Sequence, residues 1–165
     1  LVSMKILPNE KISKITIIPS TKGAGGYTLS IPEDKLYENK DYLERRIMVL
    51  LGGRAAEEVV FGHDYVTTGA RNDLQRSTDI AFNMITQYGM GKTLGLLNMQ
   101  ELYDLNINQD KIIQECKNLI DSTYGEVKNI IIENRHCLKK ITDLLLEKET
   151  LFSQDLDDLN LTVYK

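Results

Sequence analysis

"TTGARNDLQRSTDIA", residues Thr67 to Ala81, joins a glycine-bearing turn directly to a segment whose apolar residues have helical spacing. The pattern predicts a helix that begins near Asn72 and carries Leu74 and Ala81 on one face. Asp73 then lies in the first turn, where Asn72 or Asp73 can cap free N–H groups and a carboxylate gains about 0.3–1 kcal/mol from the helix dipole. A metal ligand is the second interpretation of Asp73, and spacing alone favours the cap.

The residues before this turn predict a longer helix, because "DYLERRIMVLLGGRAAEEVVF", residues 41–61, also has apolar side chains at helical spacing. Gly52 and Gly53 each cost about 1 kcal/mol relative to Ala, so the pair indicates close packing against another backbone. Glu57 and Glu58 point about 100° apart on a helix. Only one of them can face the core, where it needs a partner, and solvated surface is expected for the other.

The first third of the chain predicts two short strands. "KITIIP", residues 14–19, is rich in β-branched side chains, and "YTLSIP", residues 27–32, alternates in polarity. The intervening "STKGAGG" suits a loop between antiparallel strands. Two more helices are predicted from near Asp110 to about Glu133 and from about Leu138 to Glu147. The predicted fold class is mainly α (α+β), with a small antiparallel sheet near the N-terminus.

Composition and length exclude several classes of protein. The 165 residues predict a single domain, and 42% hydrophobic with 27% charged residues is ordinary for a globular protein. A net charge of -4 argues against a nucleic-acid partner, because affinity for phosphate comes largely from Lys and Arg. The longest apolar runs are far shorter than the ~20 residues of a membrane span, so we expect this chain by itself to be soluble. Cys116 and Cys137 are expected to be reduced thiols.

Two weaker motifs predict no site. "GMGKT", residues 89–93, has Thr86 where a phosphate-binding loop needs its first glycine, and it follows a helix rather than a strand. We interpret it as a helix C-terminus with a left-handed glycine. His63 and His136 have no histidine four residues away, so each is interpreted as a surface or interface imidazole rather than a zinc ligand.

Two longer motifs carry a resemblance to a known family. They are "LLGGRAAEEVVFG", residues 50–62, and "VTTGARNDLQRSTDIAFNMITQYGM", residues 66–90. Together they closely resemble the peptidase domain of the FtsH family, whose members are membrane-anchored, ATP-dependent zinc metalloproteases with an AAA+ motor. The resemblance includes "KITIIP" and "GGYTLSIPE", resumes weakly in "IIENRHCLKKITDLLLEKETL", and so covers nearly the whole chain.

The resemblance implies a zinc site that uses two histidines and a general-base glutamate from an HExxH helix. The third ligand is the aspartate of the family's TGAxND motif, here Asp73, so the resemblance reverses the preference for a cap. One of Glu57 or Glu58 resembles a buried acid near the zinc histidines, expected to accept an imidazole N–H. Without that histidine, the acid would be underpaired and its pKa could rise.

The resemblance also implies a substrate-binding strand, with which an extended peptide would pair through its backbone. The residues expected to bind substrate in this way are Gly26, Tyr27, Thr28, Leu29, Ser30 and Ile31.

HExxH does not occur in these 165 residues. In the family it lies just before a segment like "LVSMKILPNEK", so we expect a peptidase domain truncated at its N-terminal side, with one zinc ligand, no general base and no activity alone. The alternative is a non-catalytic subunit that forms hexamers, a pseudoprotease or assembly module that lost the motif. The residues encoded before Leu1 discriminate between the two.

For the parent protein, the resemblance implies a motor domain that uses ATP and Mg, a homo-hexamer, and unfolded or membrane proteins as substrates. Segments N-terminal to this chain would anchor it in a membrane, with the peptidase domain on the cytoplasmic side. The apolar face of the helix from Asp110 onward serves packing or subunit contact, and the pattern leaves both open.

Overall fold

The computed structural model describes residues 1–19, 25–32, 36–102 and 109–157. Helices dominate these residues, and three short strands form one antiparallel sheet, so the predicted mainly α (α+β) fold is confirmed. The helices and strands in chain order are α1 (Val2–Ile6), β1 (Lys11–Thr16), β2 (Tyr27–Ile31), α2 (Lys40–Phe61), α3 (Arg71–Thr86), α4 (Gln109–Glu133), α5 (Arg135–Lys148), β3 (Thr150–Phe152) and α6 (Ser153–Leu156).

The chain divides into two compact units. The sheet unit comprises Leu1–Leu36 with Ile131–Lys165, and the helical unit comprises Tyr37–Ile130. Each unit has buried apolar side chains of its own, which come from α2 and α3 in the helical unit and from the sheet, α5 and α6 in the sheet unit. None of the described helices has the length and apolar character that a membrane span requires.

In the sheet unit, the strand order is β2-β1-β3, and both pairings are antiparallel. The predicted hairpin is therefore confirmed, although residues 20–24 of its loop lie outside the described residues. β1 begins and ends earlier than "KITIIP" suggests. At the end of β1, the hydroxyl of Thr16 and the N–H of the next residue, Ile17, both donate to the carbonyl of Glu149, at 3.2 and 3.0 Å. This connection leads into β3, a three-residue strand too short to show a period of two in the sequence.

β2 lies at the edge of the sheet, and none of the described residues pairs with its outer side. Its alternate side chains Tyr27, Leu29 and Ile31 share one face and are all exposed. The opposite face of the sheet packs against the core of the sheet unit through Ile12 and Leu151, which are buried. Among the described residues, β2 therefore combines an unpaired backbone edge with exposed apolar side chains.

In the helical unit, α2 and α3 pack against each other around a buried apolar cluster. Asn39 caps α2, since its side chain accepts a hydrogen bond from the backbone N–H of Tyr42 at 2.9 Å. Gly53 is exposed and a Cβ placed on it would meet nothing within 4 Å, so the expectation of close backbone packing is wrong there. The buried residues of this cluster are Leu43, Ile47, Leu51, Ala81 and Met84.

The segment after α3 explains why "GMGKT" is no phosphate loop. Gly89 has a φ of 64°, which confirms the predicted left-handed glycine. The backbone N–H groups of Lys92 and Thr93 donate to the two oxygens of Glu115, at 2.5 and 2.8 Å. The amides that a phosphate would need are therefore already bound by a carboxylate of α4. The predicted loop from 89 to 108 contains a 3₁₀ turn at Met99–Leu102, and residues 103–108 lie outside the described residues.

Candidate functional site

Asp73 lies in the first turn of α3, two residues after the helix begins at Arg71. The N-cap of α3 is Ala70, and no side chain caps this end, so Asp73 does not act as the cap that spacing alone favours. Partial burial raises the pKa of the Asp73 carboxyl, while the nearby Arg76 opposes that rise. No N–H or O–H group among the described residues donates a hydrogen bond to it. A half-buried carboxylate without a donor can still accept a metal ion.

Zinc in a catalytic site needs three protein ligands. Across the described parts of the chain, no group of three His, Cys, Asp or Glu side chains could hold a metal ion. Asp73 has the oxygen donors of a zinc ligand, but the described residues do not complete a zinc site around it. His63 and His136 are both exposed, as expected for surface imidazoles.

Glu57, on the second-last turn of α2, binds the start of the turn that precedes α3. Its Oε1 accepts a hydrogen bond from the hydroxyl of Thr67 at 2.6 Å, and its Oε2 accepts one from the Thr67 backbone N–H at 3.2 Å. The side-chain hydrogen bond from Thr67, followed by the backbone one, lowers the pKa of the Glu57 carboxyl. Glu57 is therefore an ionised acceptor with two donors from one residue.

Glu58 contacts α4 instead. The hydroxyl of Tyr124 donates to its Oε2 at 2.5 Å, and the ammonium of Lys128 donates to its Oε1 at 3.1 Å. The Tyr124 hydrogen bond, followed by that of Lys128, lowers the pKa of Glu58, and burial together with the Glu58 carboxylate raises the pKa of Tyr124. Nδ1 of His63 lies 3.9 Å from Oε2 of Glu58.

The prediction that one of these acids would be underpaired, with a raised pKa, is therefore wrong. Both have donors within the helical unit, and the pKa of both is lowered. The sequence could have indicated Thr67 as a residue that stabilises this turn, because threonine before a Thr-Gly-Ala turn is a common capping residue. It could not have indicated Tyr124 as a partner of Glu58, since the two lie 66 residues apart.

Replacing Tyr124 by phenylalanine removes the shorter hydrogen bond to Glu58. We expect the free energy of unfolding to fall by about 1 kcal/mol at neutral pH, the usual net value of one hydrogen bond. The pKa of Glu58 is lowered in the folded state from 4.5, so its stabilising effect is present above 4.5 and is lost as the pH falls through the folded-state pKa. The difference between the two proteins should therefore shrink in acid, as measured by urea unfolding.

Tyr88→Phe is the matched control, because Tyr88 is exposed. It should change the free energy of unfolding by less than about 0.5 kcal/mol at either pH. A Tyr124→Phe effect that stays constant from neutral pH into acid would mean that the phenol does not act through the Glu58 carboxylate.

The predicted substrate strand corresponds to β2 and the residue before it, Gly26. A Cβ on Gly26 would lie 2.7 Å from the carbonyl oxygen of Thr16, closer than real Cβ atoms come. Gly26 therefore allows β2 to approach the end of β1, where Tyr27 pairs with Thr16. This contact holds the edge strand in register.

Comparison with known proteins shows the family to which this chain is similar. The model of peptidase family M41 matches residues 1–159. The ATP-dependent zinc metalloprotease FtsH of Lachnoclostridium phytofermentans is 41% identical over 153 residues, which cover 91% of this chain and 26% of the relative. FtsH 1 of Alkaliphilus metalliredigens is 39% identical over 160 residues, 96% of this chain and 27% of the relative.

A third relative, the FtsH of Thermotoga maritima, is 41% identical over an alignment 167 residues long, which covers 92% of this chain and 27% of the relative. The chain thus spans about a quarter of the length of the curated relatives that it matches. The match to the family model and the identity across nearly the whole chain show that this chain belongs to peptidase family M41 and is an FtsH-like peptidase domain.

Proposed function

We propose that residues 1–165 are one peptidase domain of a membrane-anchored, ATP-dependent zinc metalloendopeptidase that degrades unfolded or membrane proteins. The observation that carries the proposal is Asp73, a half-buried carboxylate without a hydrogen-bond donor among the described residues, at a helix start that the family motif marks. The other zinc ligands and the general base would come from an HExxH helix outside these residues. Bound zinc would supply a nucleophilic water and polarise the peptide carbonyl.

Within this chain, Asp73 would offer its carboxylate to the metal. Its position in the first turn of α3 makes its direction depend on the backbone of the turn before it, because a short side chain has little freedom of its own. Glu57 and Glu58 each accept two hydrogen bonds, whereas a carboxylate has about four lone-pair sites. Either acid would thus retain capacity to accept an imidazole N–H from a zinc histidine.

The edge strand would bind the substrate. A peptide in an extended conformation would add to the free side of β2 through backbone hydrogen bonds, which tolerate many sequences. The exposed faces of Tyr27, Leu29 and Ile31 would add apolar contact, which suits unfolded chains. The residues proposed for this role remain Gly26, Tyr27, Thr28, Leu29, Ser30 and Ile31.

At the level of the parent protein, we propose a homo-hexamer whose motor domain uses ATP and Mg to deliver substrate, with the peptidase domain on the cytoplasmic side. The names of the relatives, which are ATP-dependent zinc metalloproteases, support the use of ATP. Membrane anchoring would require segments outside this chain.

The proposal is tested by casein hydrolysis with the 165-residue chain and with the protein extended by its HExxH segment. We expect zinc-dependent hydrolysis from the extended protein only, because Asp73 alone cannot hold zinc with the geometry that catalysis needs. A chelating phenanthroline should stop the reaction, and a non-chelating isomer should not.

Two results would contradict the proposal. Chelator-sensitive hydrolysis by the 165-residue chain would mean that another metal site exists. A parent protein without HExxH before residue 1, and without zinc-dependent hydrolysis, would favour the non-catalytic hexamer-forming subunit.

A further inference from the structure

Thr67 connects α2 to the turn that leads to Asp73. Its hydroxyl donates to Oε1 of Glu57 at 2.6 Å, and its backbone N–H donates to Oε2 of the same carboxylate at 3.2 Å. The same hydroxyl oxygen accepts a hydrogen bond from the backbone N–H of Gly69 at 3.2 Å. One side chain thus joins the carboxylate of α2 to the backbone of the turn that precedes α3.

The turn that Thr67 caps runs into α3 without an intervening residue. Thr67 is the N-cap of the 3₁₀ turn Thr68–Ala70, with φ -104° and ψ 174°. Ala70 is in turn the N-cap of α3 and offers no side-chain cap of its own. The side-chain hydrogen bonds of Thr67 therefore hold the turn that leads directly into α3, and Asp73 follows only two residues after Arg71.

The chemistry of this connection requires a hydroxyl. Thr67 donates to Glu57 and accepts from Gly69 at once, which serine can reproduce and valine, of nearly the same shape, cannot. Hydrogen bonds to a charged acceptor are stronger than neutral ones, and the lowered pKa of Glu57 keeps it ionised at neutral pH. Arg54 adds a weaker contact, with Nη1 3.9 Å from Oε2 of Glu57.

We propose that Thr67 is a positioning residue for Asp73, held by Glu57, and that its hydroxyl sets the backbone turn that aims the Asp73 carboxylate at the metal. This inference rests on the proposed function, in which Asp73 binds zinc. It gives Glu57 a role that does not require contact with a zinc histidine. Glu57 acts on Asp73 through Thr67 and the turn.

The test uses the full-length protein that contains this chain, with zinc as the probe and a chromophoric chelator as competitor. Thr67→Val should weaken zinc binding about 10-fold, the lower end of the 10–100-fold that partners outside the ligand set contribute. Thr67→Ser should bind zinc within about 2-fold of the wild type, because it retains both hydrogen bonds. Thr78→Val is the matched control, since Thr78 is an exposed threonine of α3 whose hydroxyl donates only to the Leu74 carbonyl.

A second measurement separates positioning from simple loss of stability. In the zinc-free protein, hydrogen exchange at the Gly69 amide should be faster in Thr67→Val than in the wild type and unchanged in Thr67→Ser. If Thr67→Val lowers the melting temperature but leaves the dissociation constant for zinc unchanged, the threonine is only structural and the inference is overturned.

Asp73→Asn distinguishes failure of this inference from failure of the proposed function. If Asp73→Asn leaves zinc affinity unchanged, Asp73 is not a ligand and the proposed function fails at this residue. If Asp73→Asn weakens zinc binding while Thr67→Val and Glu57→Ala do not, only the positioning role is overturned.

Discussion

Replacement of Asp73 by asparagine is expected to reduce zinc-dependent casein hydrolysis at least about 100-fold, beyond what the loss of a partner outside the ligand set costs. The amide has nearly the shape of the carboxylate but no negative charge, so it is a poor ligand for zinc. The measurement is the hydrolysis rate of the HExxH-containing protein at saturating zinc, together with its zinc content after dialysis.

The raised pKa of Asp73 bears on the stability of the Asp73→Asn protein. Burial raises that pKa, so in the metal-free fold the ionised carboxylate is disfavoured relative to the unfolded chain. The resulting penalty is absent in acid, where the group is neutral, and appears as the pH rises through the folded-state pKa. At neutral pH, removal of this penalty in Asp73→Asn opposes the loss of the about 0.3–1 kcal/mol that a first-turn carboxylate gains from the helix dipole, so the metal-free variant should be about as stable as the wild type.

Asp79→Asn provides the control on the same helix, because Asp79 is exposed and lies after the first turn of α3. It should retain wild-type zinc content and hydrolysis. An Asp73→Asn protein with full zinc content and an unchanged rate would remove Asp73 from the ligand set, whatever its position in the motif.

The long helices could be predicted because each buries one stripe over several turns. The helix predicted from near Asp110 to Glu133 is observed at Gln109–Glu133. The next helix begins at Arg135, three residues before the predicted Leu138, and only Asn134 separates it from α4. α1 and β3 are too short to generate a recognisable period, and their conformations depend on the parts of the sheet unit that they contact.

Less of the candidate site than of the long helices could be predicted from the sequence. The apolar pattern correctly predicted that Asp73 lies in the first turn of a helix. Spacing alone favoured Asp73 as the helix cap, but the N-cap in the structure is Ala70. The proposed role of Asp73 as a metal ligand came from the resemblance to the family. The partners of Glu57 and Glu58 depend on tertiary contacts. Thr67 is 10 residues from Glu57 and Tyr124 is 66 from Glu58, so no helical period connects either pair.

Replacement of Gly26 by alanine is expected to lower the free energy of unfolding by about 1–3 kcal/mol, the usual cost of forcing an extra carbon into packed structure. The added Cβ would lie 2.7 Å from the carbonyl oxygen of Thr16 and 3.2 Å from the Cα of Ile17. Both are backbone atoms, so no side chain can rotate away, and β2 must shift relative to β1. Alanine also reduces the entropy of the unfolded chain, but that effect stabilises by only about 0.4–1 kcal/mol.

Gly25→Ala is the control that isolates the contact, because a Cβ on Gly25 meets nothing within 4 Å. It should leave the free energy of unfolding within about 0.5 kcal/mol of the wild type. In the HExxH-containing protein, Gly26→Ala should also raise the KM for casein, because a displaced β2 presents its edge out of register, and Gly25→Ala should not. Since Asp73 is untouched, zinc content should stay normal in both. A Gly26→Ala protein with wild-type stability and KM would mean that the close approach of β2 to Thr16 supports neither the sheet nor substrate binding.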